Sequence, residues 1–353
     1  MGPLTRGDQS LRKERKDEHI ENYLQTEYVG DSLLGDVYLE PRSFPEVDME
    51  AIDTGMEIFG KRQAIPLMIN AMTGGTEVTR AINESLARIA GRLGLPVQVG
   101  SMRIALDDPS TIPSFRAVRD IMGPQGVVLA NLGAEAEVDE VGRVMELIDA
   151  DGIGIHLNAH QEAVMEEGER DFRSWKDRVR AIAEAFPGKV IVKQVGLGMD
   201  REALTFLEDL PLAYVDISGL GGTNFFEIED LRRLDEDFTE FYTWGIPTAK
   251  AILNAKAEAP GQKIIASGGI RTASDLVRAM VLGADMGAIS GEILRFLLNG
   301  DEDYTAYYLA QVADHFRIAL AFMGCQDLED LHRLPYQLTG ELARLVEGKV
   351  YRQ

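Results

Sequence analysis

The feature that most restricts the fold of this chain is a regular alternation of apolar, β-rich runs with stretches of helical periodicity. The runs predicted to be strands are residues 65–70, 97–100, 127–131, 153–157, 190–195, 214–217, 263–267 and 286–290. Helical periodicity fills the intervals, as it does over residues 77–93 and 272–282. The alternation predicts parallel strands with right-handed crossovers, and eight units indicate a single closed (β/α)8 TIM barrel, with an open doubly wound sheet as the alternative.

The rest of the chain is expected to extend this barrel at both ends. A barrel typically needs about 250 residues, which residues 65–300 supply. Residues 1–64 would form an N-terminal extension with a charge-dense segment, and residues 301–353 would form closing helices. Residues 223–262, rich in aromatic side chains, are predicted to be a long insertion after the sixth strand. Two smaller domains are the alternative to this arrangement.

Composition excludes several classes of protein. The 36 basic and 58 acidic side chains give a net charge of −22, which argues against nonspecific binding to nucleic acid or to anionic membranes. The single cysteine, Cys325, excludes intramolecular disulfides and a cysteine-rich metal site. No apolar run is long enough to span a membrane, and the polar N-terminus lacks the core of a signal peptide. We therefore expect a cytoplasmic protein.

Small and polar residues end almost every predicted strand, and in a barrel these ends share the face that carries active sites. Strand termination by Gly and Asn alone would explain one or two of these runs. It does not explain Lys193, which lies within an apolar strand, where its charge needs a partner. Lys193 is interpreted as a Schiff-base nucleophile, a phosphate partner or a flavin partner, or as a side chain that extends to the rim.

Two adjacent turns predict a phosphate site. The run Ser267-Gly268-Gly269-Ile270-Arg271-Thr272 leaves the seventh strand and opens a helix, and Ser290-Gly291 ends the eighth strand. Glycines let backbone N–H groups approach an oxyanion, and a helix N-terminus adds partial positive charge. These turns favour a phosphorylated cofactor such as FMN, and tight strand–helix turns without a ligand are the alternative.

The densest polar cluster is residues 156–162, His-Leu-Asn-Ala-His-Gln-Glu. Glu162 is a candidate Mg²⁺ ligand, because Mg²⁺ commonly takes one or two carboxylates and completes its shell with water and substrate phosphates. A zinc pair formed by His156 and His160 lacks a third ligand, and a helix-capping loop is the plain alternative. Arg15 and Lys16, if they fold over the barrel mouth, and Arg103 would clamp a diphosphate.

The order of these motifs resembles that of the FMN-dependent type 2 isopentenyl-diphosphate delta-isomerases over residues 12–295. The most specific runs are Arg15-Lys16-Asp17-Glu18-His19 and residues 156–162, whereas the Gly-Gly run is widespread in FMN barrels. The resemblance implies an enzyme of isoprenoid biosynthesis that interconverts isopentenyl and dimethylallyl diphosphates. It would use reduced FMN, NADPH and Mg²⁺ with no net redox change, as a homo-oligomer, either a tetramer or an octamer.

The same resemblance implies a set of site residues. Gln161, His156 and Asn158 would be catalytic, and Glu162 would bind the metal. Substrate would contact Arg15, Lys16, Ser101, Met102, Arg103 and Gln161. FMN would contact Ala71, Met72, Thr73, Ser101, Asn131, Lys193, Ser218, Thr223, Gly268, Gly269, Ile270, Ser290 and Gly291. The chain departs from the family pattern at Gln194 (an acid is expected), at Phe225 (a Trp is common) and at Ser290-Gly291-Glu292 (small residues are usual).

The sequence disfavours three rival functions. An FMN-dependent 2-hydroxy-acid oxidase on the same barrel needs a base, usually a His before the Gly-Gly run, and no His lies between residues 161 and 314. A nucleotide dehydrogenase needs a catalytic Cys, but Cys325 lies past the eighth strand. A non-catalytic flavin-binding barrel is disfavoured because Arg15, Lys16, Gln161 and Glu162 occur together.

Overall fold

The computed structural model of the protein describes residues 18, 20–28, 30–233 and 235–347. Eight parallel strands form a closed barrel in chain order, which confirms the predicted TIM barrel. Each strand is followed by a crossover helix. The elements are β1 Leu67–Ile69, α1 Glu77–Leu93, β2 Val97–Gln98, α2 Ile112–Met122, β3 Val128–Gly133, α3 Val138–Ile148, β4 Gly152–Leu157, α4 Trp175–Ala185, β5 Val190–Gln194, α5 Arg201–Leu207, β6 Tyr214–Asp216, α6 Thr248–Glu258, β7 Ile264–Ala266, α7 Ala273–Val281, β8 Met286–Ile289 and α8 Gly291–Asn299.

Local sequence explains where these elements begin and end. Strands β1 and β2 are shorter than predicted, since the polar residues at their C-terminal ends leave the barrel ladder to form the mouth. Helix α1 begins with a capping box, in which the Thr76 side chain accepts from Thr79 N and Thr79 reaches back to the Thr76 backbone. Thr272 and Asp275 form the same arrangement at α7. The caps fix the direction in which the strand ends turn outward.

Segments outside the barrel close its lower end and join the two ends of the chain. The hairpin of Met56–Ile58 and Lys61–Gln63 packs Ile58 against a buried cluster from the strands' lower halves. Val37–Tyr38 pairs antiparallel with Gln337–Leu338, and helix Glu302–Met323 packs on α7 and α1. No helix within the described ranges is long and apolar enough to cross a membrane.

The predicted insertion after the sixth strand is shorter than expected. Thr248–Glu258 is the ordinary crossover helix α6, because its Ala251, Ile252 and Ala255 form a small apolar face that packs on the barrel. The true addition consists of a loop helix, Phe225–Arg232, and a 3-10 turn, Thr239–Phe241. The loop helix lies at the barrel mouth, so the inserted residues belong to the active-site face.

A buried charge cluster secures the face of the barrel opposite the mouth. The Asp151 carboxylate accepts from Lys61 Nζ at 2.6 Å, from Arg119 Nη2 at 2.8 Å and from the backbone N–H of Val128 at 2.9 Å. Only 5% of the Arg119 side chain and 15% of the Asp151 side chain is exposed. Removing one partner from such a cluster leaves a charge that is both buried and uncompensated.

Asp151→Asn is expected to lower the free energy of unfolding by about 3 kcal/mol, since it leaves Arg119 buried without its carboxylate. Asp120→Asn is the matched control, because Asp120 forms an exposed pair with Arg116 one helical turn away and its loss should cost less than about 0.5 kcal/mol. Urea unfolding followed by circular dichroism measures both. Equal losses in the two variants would contradict a structural role for Asp151.

Candidate active site

Strand register brings the charged residues of the mouth together. Gly133 pairs with His156, His156 with Lys193 and Lys193 with Asp216, which forms a continuous row across β3, β4, β5 and β6. Because side chains alternate along each strand and parallel strands lie side by side, residues in register share a level of the barrel. One imidazole, one ammonium and one carboxylate are therefore neighbours at the C-terminal end of the barrel.

Asp216 is the centre of a hydrogen-bond network that joins four strand ends. Its carboxylate accepts from Asn70 Nδ2 at 2.8 Å, Ser267 Oγ at 2.6 Å and the backbone N–H of Ser218 at 3.2 Å. Lys193 Nζ lies 3.8 Å from Asp216 Oδ2. Asp216 is fully buried, so these donors stabilise a charge that would otherwise be too costly inside the barrel.

Burial lowers the pKa of both neighbouring bases. Desolvation lowers the pKa of Lys193, although the carboxylate of Asp216 opposes the shift. The pKa of His156 falls to about 4, first because of burial and further because of the Lys193 charge, while Glu135 acts in the opposite direction. His156 is consequently neutral at physiological pH, and its Nδ1 lies 3.2 Å from Asn131 Oδ1.

Gln161 is held by hydrogen bonds on both sides of its amide. Its oxygen accepts from Asn158 Nδ2 at 2.6 Å, and its nitrogen donates to Glu229 Oε1 at 2.8 Å. Glu229, fully buried in the loop helix, accepts from Arg232 Nη1 at 2.8 Å on its other oxygen. The three contacts fix the orientation of the Gln161 amide, although the residue lies on a short helix, Ala159–Val164.

A cavity of about 1290 Å³ opens at this end of the barrel. Of the described residues predicted to bind cofactor, substrate or metal, all line it except Met102, which is fully buried and donates its backbone N–H to Asn131 O. Ligand pockets typically measure about 300–1,000 Å³, so this one has room for two ligands. The predicted site residues thus form one cavity.

The turns after β6 and β7 can be formed only by glycine. Gly268 and Gly269 have φ values of +92° and +87°. A Cβ on Gly268 would lie 2.0 Å from Gly219 O, and one on Gly269 would lie 2.7 Å from Gly221 O. This close backbone packing, next to the N-termini of α7 and α8, fits the phosphate of FMN. The polar row of β4 to β6 fits its ring.

Glu162 lies on the same side of the cavity as Glu167 and Glu169, and its Oε2 accepts from the backbone N–H of Glu169 at 2.8 Å. The described residues contain no cluster of three His, Cys, Asp or Glu side chains that could hold a metal ion. A Mg²⁺ ion at Glu162 would therefore take its other ligands from water and from a phosphorylated substrate.

The predicted diphosphate cations differ in their surroundings. Arg103 lines the cavity but is already paired, with Glu140 Oε1 at 2.5 Å and Glu135 Oε1 at 3.5 Å. Arg15 and Lys16 lie outside the described residues. Residues 20–28, which follow them and which we call the N-terminal strap, reach the mouth, where the Glu227 carboxylate accepts from the backbone N–H groups of Glu27 and Tyr28. An anionic substrate must compete with two glutamates for Arg103.

Sequence reasoning did not select Asp216, Glu227 or Glu229 as site residues. Asp216 could have been found, since it is a lone acid in an apolar strand that follows the strand of Lys193. Glu227 and Glu229 alternate with aromatic and aliphatic residues in a short helix, a pattern that carries no signal for a buried charge. Gln194, where an acid was expected, accepts from the Leu197 N–H at 2.7 Å and so shapes the β5 turn.

Comparison with known proteins gives the class and then the family. The family model of the FMN-dependent dehydrogenases matches residues 127–337, and this FMN-dependent class of barrel enzyme agrees with the fold and with the glycine turns. The isopentenyl-diphosphate delta-isomerase of Listeria innocua is 36% identical to this chain, and the match covers 97% of this chain and 96% of the relative. The enzyme of the same name from Bacillus licheniformis is 38% identical, and the match covers 96% of this chain and 99% of the relative. The chain belongs to the isopentenyl-diphosphate delta-isomerase family, in its FMN-dependent type 2 form, and is an enzyme.

Solved structures support the fold alone. A mandelate oxidase variant with (S)-mandelic acid superposes with a TM-score of 0.64 at 17% identity. The superposition covers 91% of this chain and 94% of the mandelate oxidase chain. Mandelate oxidase with 3,3-difluoro-2-hydroxy-3-phenylpropionic acid superposes with a TM-score of 0.63 at 16% identity, covering 92% of this chain and 98% of the mandelate oxidase chain. At this identity the likeness extends to the barrel and not to the chemistry.

The low pKa of His156 predicts a pH-dependent loss of stability. As pH falls from 6.5 to about 4, the unfolded chain binds a proton at this position before the folded protein does. Stability should therefore be full above pH 6.5 and fall by up to about 3 kcal/mol as the pH decreases through that window. In His156→Gln this loss of stability at low pH should disappear. His315→Gln changes an exposed residue and should lose stability with pH as the wild type does. Urea midpoints measured across this window test it, and an unchanged slope in His156→Gln would contradict the assignment.

Proposed function

We propose that this enzyme interconverts isopentenyl and dimethylallyl diphosphates, using reduced FMN and Mg²⁺ without net oxidation, with NADPH as the reductant. The observation that carries the proposal is the single cavity in which Gln161, Glu162, Lys193 and the Gly268-Gly269 turn meet. Family membership supports the substrate, because the relatives are named for isopentenyl diphosphate. Room for two ligands in one cavity supports a substrate bound beside a flavin.

The isomerisation adds a proton at one alkene carbon and removes a proton from another, through a carbocation-like transition state. Reduced FMN, when bound, would supply an electron-rich ring that stabilises this positive charge. The FMN phosphate would be held by Gly268, Gly269 and Gly291. The FMN ring would be held by Lys193, Asn131, Thr73 and Ser218. Buried Lys193 would stabilise negative charge on the reduced ring.

The protein's own contribution is chiefly orientation. The Gln161 amide is a poor acid, but its contacts with Asn158 and Glu229 hold its N–H groups in a fixed direction, so it can orient the C5 unit or a proton-carrying group. Neutral His156, with Asn158, offers hydrogen-bond donors to the diphosphate. Four groups would bind the diphosphate and so hold the alkene in place: Glu162 through Mg²⁺, Arg103, and the N-terminal cations Arg15 and Lys16.

The oxidase alternative lacks a suitable base. A 2-hydroxy-acid oxidase needs a group that accepts the substrate proton near neutral pH, and catalytic bases work best when their pKa lies near the operating pH. Among the described residues that line the cavity, His156 is the only histidine. Its pKa of about 4 makes it a weak base, and it lies at the end of β4 and not next to β7.

In the absence of oxygen, purified enzyme with FMN, NADPH and Mg²⁺ is expected to convert isopentenyl diphosphate to dimethylallyl diphosphate. Proton NMR detects the product. The flavin spectrum should be the same before and after turnover, since there is no net redox change. Parallel samples in air with mandelate or lactate should produce no peroxide. Peroxide formation from a hydroxy acid without isomerisation of the alkene would support the oxidase instead.

Glu162→Gln is expected to raise the Mg²⁺ concentration needed for half-maximal activity by about tenfold or more, because the amide keeps the shape but loses the charge that anchors the ion. FMN binding should be unchanged, since Glu162 lies on the substrate side of the cavity. The matched control is Glu166→Gln, whose side chain is exposed on the following loop. An unaltered Mg²⁺ dependence in Glu162→Gln would exclude this residue as the metal ligand.

A further inference from the structure

Four side chains that the assigned contacts do not use meet where β7 and β8 end. They are Tyr23, Arg271, Glu292 and Arg295, and all of them line the large cavity. Arg271 follows the Gly268-Gly269 turn, Glu292 lies in the first turn of α8 and Arg295 lies near its middle. The Arg271 Nε is 3.9 Å from Glu292 Oε2. The cluster is thus at the corner formed by the two turns proposed to bind phosphate.

Tyr23 reaches this corner from the N-terminal strap. It is only 9% exposed, and its hydroxyl lies so close to Gly291 that a Cβ there would be 2.4 Å from the oxygen. The guanidinium carbon of Arg295 lies 5.4 Å from the centroid of the Tyr23 ring, within the range of a cation–π contact. Tyr23 and Arg295 therefore form a packed pair directly beside the β8 turn.

Both members of this pair are hydrogen-bond donors. The Arg295 Nε is buried and has no acceptor among the described residues, a costly state for a guanidinium N–H. Burial raises the pKa of the Tyr23 phenol above its ordinary value, with Arg295 opposing, so the hydroxyl retains its proton and can donate. The side chains of Arg295 and Tyr23 both line the cavity, so the guanidinium and the hydroxyl can approach an oxyanion bound there.

Charge balance gives Arg295 a special place in the cluster. Arg271 donates Nη2 to Gly221 O at 2.7 Å and faces Glu292, so part of its positive charge is already compensated. Glu292 brings negative charge to the corner where small residues are usual in the family. Arg295 forms no ion pair with the described carboxylates and is the cation left to attract a phosphate.

We propose that Arg295 and the Tyr23 hydroxyl bind the terminal phosphate of FMN, adding two side-chain donors to the backbone N–H groups of the two turns. The inference rests on the proposed function in that FMN is the cofactor. It extends that function by making the N-terminal strap part of the flavin site. It also predicts how the chain prefers FMN over riboflavin, which has the same ring and ribityl chain but no phosphate.

The test titrates the full-length protein, stripped of flavin, with FMN and with riboflavin and follows the quenching of flavin fluorescence. Arg295→Gln should raise the Kd for FMN by about 10- to 100-fold and leave that for riboflavin within about twofold, since one charge-assisted contact is lost. Tyr23→Phe should raise the FMN Kd by about 3- to 10-fold. Glu292→Gln should lower it, because a carboxylate that repels the phosphate is removed. Arg88→Gln, an exposed residue paired with Glu302, is the control and should change neither Kd.

Arg295→Lys serves if Arg295→Gln folds poorly, and its FMN Kd should lie between those of wild type and Arg295→Gln. Equal weakening of FMN and riboflavin, or no change for either, would overturn the proposal. So would an unchanged FMN-to-riboflavin ratio with a raised KM for isopentenyl diphosphate, which would assign Arg295 to the substrate diphosphate. A wild-type chain that binds neither flavin would instead refute the proposed function itself.

Discussion

The buried carboxylate of Asp216 is the constraint on which the mouth of the barrel depends. It cannot be solvated, so it needs donors, and the donors it has come from the ends of β1, β5, β6 and β7. Satisfying one charge therefore fixes the relative positions of four loops. The same contact keeps Lys193 inside the barrel, where burial would otherwise favour its neutral form.

The acidity of the chain makes local cations decisive. With a net charge of −22, the long-range field opposes both a flavin phosphate and a diphosphate substrate. Several basic residues of the cavity are also paired with glutamates, as Arg103 is with Glu140 and Glu135. Such pairs position the guanidinium but reduce its attraction for an anion. Local compensation would come from Mg²⁺ at Glu162 and from Arg295, which has no ion pair within the described ranges. This is sufficient because salt screens the more distant charges.

The sequence predicted the barrel and most of the cavity because both follow from short-range patterns. Apolar runs and helical periodicity give eight βα units, and parallel strands bring every C-terminal end to one face, so Ser101, Lys193 and Gly268 had to converge. The exceptions depend on tertiary contacts. Met102 is adjacent to two cavity residues but points into the core, and Glu229 is buried by a loop helix whose position no local pattern reveals. The ordinary crossover helix Thr248–Glu258 is hidden in the sequence, because the aromatic-rich residues that precede it predict a single long insertion.

The same barrel carries hydroxy-acid oxidation in the mandelate oxidases, so the difference in chemistry must come from side chains at the strand ends. In this chain the only described histidine of the polar row, His156, is kept neutral chiefly by burial, and the charge of neighbouring Lys193 lowers its pKa further. Moving Lys193 away would raise the pKa of His156 only in part, because burial is the larger cause and would remain. Burial of the polar row therefore withholds the base that an oxidase requires, and the ion pair of Lys193 with Asp216 keeps a cation at the same level of the barrel, where the proposed reduced flavin would use it.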